Sequence, residues 1–236
     1  MERTNLERVK SIATTFLNMD ITETPFSPGF VQHPIFESGY IGMNQDGELK
    51  IVNIMENEKS RAEIIEQYHE KIDRCSNTVS VYNIIRKSYR LTFLKFIWNY
   101  LSVQDKGRLL RSAWTESEDP NQDVNVSISE AVKMFKNSDK EFLMKENELE
   151  FLRSLPDEIK LYRGVAVGRN PEGLSWTPNL ELARWFSHRF DNKEEKGYVK
   201  CGIANKKDIL AYLDERNEEE IVISCSAVKN IQIVEK

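Results

Sequence analysis

Residues 157–190 read DEIKLYRGVAVGRNPEGLSWTPNLELARWFSHRF, and two kinds of secondary structure meet inside them. Ile159 to Arg163 reads as a short strand. Leu180 to Phe190 reads as a helix, with Leu182, Ala183, Phe186 and Phe190 on one face. Thr177 is placed to cap that helix, and Pro178 suits its first position. Further on, Gly197 to Ile203, Ile209 to Tyr212 and Ile221 to Ser224 read as strands. Everything between residue 58 and Pro156 reads as helix or loop. Helices first and strands afterwards argue an α+β protein: a helical N-terminal half with a small hairpin, then a β-rich core.

Upstream, residues 1–20 place Leu6, Val9, Ile12, Ala13, Phe16 and Leu17 at helical spacing. Pro25, Pro28 and Pro34 make 21–38 an irregular connection. Tyr40 to Met43 and Leu49 to Ile54 form a hairpin, turning at Asn44-Gln45-Asp46-Gly47 and closed at Asp-Gly. A charged helix follows at 58–75 and a strongly apolar one at 82–101. Ser102, with Asp105 three residues on, is placed to cap a helix at 103–117. Ser127 or Ser129 can cap a helix through Phe135, and Asp139 one that runs to about Leu155, where Pro156 stops it. The organisation expected is an N-terminal helical and hairpin region, 1–80, and a second domain, 81–236, with helices over 82–155 and a β-rich core over 157–236. The run 82–114 holds Arg86, Lys87, Arg90, Lys95, Lys106, Arg108 and Arg111 against Asp105 alone. It is either a solvated helix face or a docking surface for an acidic partner.

The composition, 40% hydrophobic and 30% charged over 236 residues, excludes collagen-like, low-complexity and wholly disordered classes. A formal charge of -5 provides no global footprint for nucleic acid, although a local patch stays open. Cys75, Cys201 and Cys225 are odd in number and widely spaced, which fits reduced thiols. His33, His69 and His188 do not stand at metal-ligand spacing, so no catalytic metal is expected. The N-terminal stretch is too charged for a secretory signal, and Lys95 and Asn99 interrupt the longest apolar cluster, Leu91 to Leu101. A cytoplasmic setting without membrane association is therefore expected.

Three segments carry the chemistry. They are Leu161-Tyr162-Arg163-Gly164, then Ser175-Trp176-Thr177, then Glu218-Glu219-Glu220 running into Ile221-Val222-Ile223. In this order and in these contexts they resemble the mono-ADP-ribosyltransferases of the Arg–Ser–Glu type, found in bacterial toxins, phage modifying enzymes and vertebrate ecto-enzymes. The resemblance covers about 157–236. It implies an ADP-ribosyltransferase-like mixed β core that uses NAD as substrate, cleaves the nicotinamide–ribose bond and passes ADP-ribose to a macromolecule. The macromolecule expected is a host protein, with a protein arginine as first acceptor and a nucleic-acid target left open. It implies a phage- or toxin-type effector, working in the host cytoplasm if phage-encoded.

The residue types suit that chemistry. A planar guanidinium can grip a pyrophosphate with two hydrogen bonds, the role implied for Arg163. Gly164 allows close backbone approach, and the resemblance implies that its amide groups hold the nicotinamide carboxamide. Tyr162 and Thr177 complete the expected cofactor-binding set with Ser175 and Phe186. A fixed carboxylate stabilises the oxocarbenium-like centre left by nicotinamide. On a strand, Glu218 and Glu220 share a face while Glu219 points away. Glu220 would then meet the ribose, Glu218 the incoming nucleophile, and Ser175 would orient Glu220. Trp176, Trp185 and Phe186 otherwise read as core, one of them or Phe190 being open to the nicotinamide ring. Trp114 to Glu118 form a polar and aromatic cluster that can border the cleft, and His188 reads as structural. An NAD glycohydrolase, or a silent binding module of the same fold that only occludes a partner, are the alternatives.

Overall fold

The structure is a computed structural model that describes residues 3–25, 27–45 and 47–235. The chain is an α+β protein whose contacts gather into two compact units, Met1–Ser102 and Val103–Lys236. The division expected at residue 80 cuts through the first unit, because the segment around Arg86 is tied back into it.

In the first unit, α1 (Leu6–Leu17) is capped by Asn5, whose side chain accepts from the Arg8 amide, and buries Val9, Ala13, Phe16 and Leu17. The connection expected to be irregular carries a two-residue pairing, β1 (Thr22–Glu23) with β2 (Val31–Gln32). The hairpin is β3 (Tyr40–Gln45) with β4 (Glu48–Asn53). Asp46 of its expected Asp-Gly turn, like Met1 and Glu2 ahead of α1, lies outside the described residues. Helix α2 covers Glu58–Asp73.

The single helix expected at 82–101 is broken. It is replaced by α3 (Thr78–Tyr82), a 3₁₀ turn at Lys87–Tyr89, α4 (Arg90–Ile97) and a second 3₁₀ turn at Trp98–Tyr100. Arg86 is the reason. Its backbone is extended, its amide donates to Pro34 O, and its guanidinium donates to the carbonyls of Val31, His33 and Phe36 at 3.0–3.2 Å. Those long-range bonds override a favourable local pattern. Arg86 and Arg90 turn inward to carbonyls, and Arg111 to a carboxylate, so the basic run 82–114 is neither a uniformly solvated face nor a continuous docking surface.

In the second unit, α5 covers Val103–Glu116 and a 3₁₀ turn Pro120–Gln122. Helix α6 (Ile128–Lys136) is closed by a capping box of Ser127 with Glu130, so Ser127 rather than Ser129 is the cap. The helix expected from Asp139 to Leu155 is split into α7 (Lys140–Leu143) and α8 (Glu146–Ser154). Met144 and Lys145 are extended, and the Lys145 amide donates to the Glu148 side chain, which starts α8 afresh.

The β core follows as β5 (Glu158–Val165), β6 (Ser175–Trp176), α9 (Leu180–His188), β7 (Tyr198–Asn205), β8 (Ala211–Leu213), β9 (Glu220–Val222) and β10 (Val228–Glu235). Two three-stranded sheets result, in the orders β10-β7-β5 and β6-β9-β8. Among the described residues every pairing is antiparallel, which corrects the expected mixed core. The link 214–219 between β8 and β9 is a tight turn, too short for the crossover that a parallel pair requires. One reciprocal pair of backbone bonds, Tyr162 to Thr177 at 2.8 Å each way, joins the two sheets. The cap of α9 is Asn179, accepting from the amides of Glu181 and Leu182, not Thr177. Thr177 Oγ1 instead accepts from the Asn179 amide and shapes the approach, so Pro178 lies outside the helix. No helix among the described residues is long and apolar enough to cross a membrane.

Candidate active site

Strand β9 begins at Glu220, and this places its carboxylate in a cleft of ≈ 170 Å³ that also takes in Glu218, Ser175, Arg163, Phe186 and Trp114. The three segments singled out in the sequence therefore meet in one place. Trp114 Nε1 donates to Glu220 Oε1 at 2.9 Å. The exposed part of Glu220 faces the cleft, with protein on its other sides. Burial pushes its carboxyl above the usual range; hydrogen bonds from Ser175 and Trp114 pull against that, Glu218 adds to it, and Arg163 opposes it.

Glu218 reaches the cleft by a different route from the expected strand alternation. It closes a 3₁₀ turn at Glu215–Asn217 with φ -87° and ψ -7°, and Glu219 follows at φ 43°. The left-handed kink at Glu219, not a pleat, turns its side chain away. Glu219 accepts from Asn179 Nδ2 at 3.1 Å, while Glu218 and Glu220 both line the cleft. The turn is anchored at its base. Asp214 N donates to Glu148 Oε1 at 2.8 Å, Glu148 takes Arg111 in two hydrogen bonds of 2.5 and 2.8 Å, and Glu215 meets Lys145 at 2.5 Å. Burial alone would raise the Glu148 carboxyl. The donors from Arg111, Asp214 and Lys145 outweigh it and hold the group below the usual range.

Arg163 departs from its expected role. It is buried, and its two terminal nitrogens donate to main-chain carbonyls, Nη1 to Ser175 O at 2.6 Å and Nη2 to Asn170 O at 2.7 Å. Its Nε has no hydrogen-bond partner. Burial lowers its pKa to about 10, against the pull of Glu220. Each terminal nitrogen already serves a backbone carbonyl, so Arg163 ties β6 and the 170–175 loop beneath the cleft that it also lines. Gly164 also acts differently from expectation. A Cβ there would lie 2.1 Å from Ala183 O, so the glycine lets α9 pack onto β5. Tyr162 and Thr177 both line the cleft, and their backbones form the bridge between the sheets.

Phe186 lines the cleft, and Phe190 beside it carries Arg169 and Arg189 over its ring, with guanidinium carbons 4.7 and 5.3 Å from the ring centre. Trp176 is core, as expected, whereas Trp185 is 59% exposed and is not. His188 pairs with Asp191. The cluster Trp114 to Glu118 does border the cleft, through Trp114, Thr115, Ser117 and Glu118. Asn121, Arg169 and Arg189 escaped sequence reasoning. Asn121 stands in a Pro-containing turn, where Asn is ordinary, and the two arginines carry no spacing signal. Arg169 pairs with Asp119 at 2.5 Å and Arg189 with Glu118 at 3.0 Å, so the segment after α5 is fastened across the mouth. Comparison with protein-family models, with curated proteins and with solved structures finds no match to this chain.

Proposed function

We propose that this chain is an NAD-dependent mono-ADP-ribosyltransferase that moves ADP-ribose onto a macromolecular acceptor and releases nicotinamide. The observation that carries the reading is the meeting of Glu220, Glu218 and Ser175 in one cleft beside aromatic side chains. A carboxylate held by fixed donors in a partly desolvated site suits a developing positive charge better than one free in water. Glu220 would face the ribose as the C–N bond breaks and nicotinamide departs with the bonding electrons. Glu218 would take the proton of the attacking acceptor as the new glycosidic bond forms. A protein arginine of a host is the first acceptor to try, in a phage- or toxin-type effector working in the host cytoplasm.

Incubating the purified protein with labelled NAD and a cell lysate tests the reading. Label on a macromolecule supports it. Release of free ADP-ribose and nicotinamide alone would make the protein an NAD glycohydrolase. Intact NAD would leave the occluding module.

A further inference from the structure

Glu220 belongs to the β core, yet two of the groups that fix it come from the helical segment before that core. Trp114, near the end of α5, donates its indole N–H to Glu220 Oε1 at 2.9 Å, and an indole can only donate. Asn121 donates Nδ2 to Ser175 Oγ at 2.9 Å. Its orientation is set, because its Oδ1 accepts the Leu174 amide at 2.6 Å. A serine hydroxyl has one proton. Since Ser175 Oγ accepts from Asn121, its own proton is left for Glu220, whose ionised form the hydroxyl favours. Both approaches to Glu220 are thus made by donors, which bond an ionised carboxylate more strongly than a protonated one. Trp114 is 1% exposed and packs edge-on against Phe135 at 5.0 Å, so its N–H is not free to swing.

Building on the proposed ADP-ribosyl transfer, we infer that Trp114 and Asn121 are positioning residues, the first acting directly and the second through Ser175, which hold Glu220 ionised and aimed into the cleft. The other charged groups facing Glu220 act in opposite directions: Glu218 favours protonation and Arg163 favours ionisation. Burial favours protonation as well, so the two donors act against the largest influence on the group.

The test is a titration of the Glu220 carboxyl by carbon NMR in the ligand-free full chain, for wild type, Trp114→Phe and Asn121→Ala. Trp114→Phe keeps the aromatic packing and removes the N–H. Loss of one hydrogen bond to a charged group should raise the Glu220 midpoint by about one unit. Asn121→Ala should raise it too, by less, because Ser175 remains. With NAD, kcat should fall about tenfold or more, KM should change little, and the acid limb of the rate profile should move by the NMR shift. If Trp114→Phe does not fold, Asn121→Ala alone decides, because it leaves the Trp114 bond to Glu220 in place. Folded variants that titrate Glu220 at the wild-type midpoint overturn the inference. Shifted midpoints in a protein that never turns over NAD would leave this inference standing and defeat the ADP-ribosyl reading. NAD turnover with unshifted midpoints would do the reverse.

Discussion

Replacing Glu220 by Gln keeps the shape of the side chain and removes its charge. The structure sets two magnitudes for this change. The first concerns chemistry: losing one preorganised electrostatic group costs about 10²–10³ in rate, or about 2.7–4 kcal/mol. The second concerns stability. The Gln carbonyl can still accept from Trp114 Nε1, but its amide meets Ser175 Oγ as a donor, so one hydrogen bond worth about 1 kcal/mol is rearranged. Against that loss, a carboxylate with a burial-raised pKa disappears. A raised folded pKa means stability that is full below the unfolded value and lost as pH rises through the folded one, so neutral pH is where the charge costs most. The two effects oppose each other, so the net change at pH 7 should lie within about 1 kcal/mol, or roughly 2–4 °C in Tm. Nicotinamide release by chromatography and thermal unfolding by circular dichroism read the two quantities on one sample. A Glu220→Gln protein that melts within that window and keeps wild-type NAD turnover would refute the assignment.

Glu218→Gln should lose most macromolecular labelling, by about 10²–10⁴, yet retain slow nicotinamide release from NAD alone; Glu219→Gln, with its side chain at Asn179, should change neither activity much. Arg163→Lys should lower stability by about 1–3 kcal/mol in denaturant melts, because one ammonium cannot reach both Ser175 O and Asn170 O and a buried carbonyl is left unpaired. An unchanged midpoint would mean that the two bonds are not made. His33, in the first unit, should titrate near 4 by proton NMR, since burial disfavours its charge and its Nδ1 accepts from the amides of Ile35 and Phe36. For this depressed base the neutral form is the stabilising one, so about 3 kcal/mol present above pH 6.5 should be lost as pH falls from 6.5 to about 4.

The α+β class was legible because hydrophobic period is a local property, and so were α2, the hairpin and most of the core strands. Legibility ended where distant groups decide. Nothing near Arg86 announces three carbonyls fifty or more residues away, and nothing near Met144 announces that Lys145 will give its amide to Glu148. Strand β10 was missed because its side chains are mostly exposed and do not alternate in burial. At the cleft, the pairing of Glu218 with Glu220 was foreseen on a strand register that the chain does not adopt. The left-handed Glu219 produces a similar grouping by another geometry. Arg163 was identified as central, but residue type alone does not reveal that both ends of its guanidinium will be engaged by backbone carbonyls. Asn121 is a case of the same kind: its importance lies wholly in what Leu174 and Ser175 bring to it.

The bridge of Tyr162 with Thr177 divides the cleft along a main-chain seam. Arg163 and Gly164 stand on the bank of β5, Ser175 and Glu220 on the other. The Arg163 guanidinium crosses this seam to Ser175 O, and the amides of Tyr162 and Thr177 bond across it in both directions. Their hydrogen–deuterium exchange is a gauge of cleft breathing, separate from global unfolding. A molecule that touches both banks acts as a staple across this seam. At a hundred times its Kd it should slow exchange of these two amides about a hundredfold, leaving the amides between β7 and β10 at their own pace.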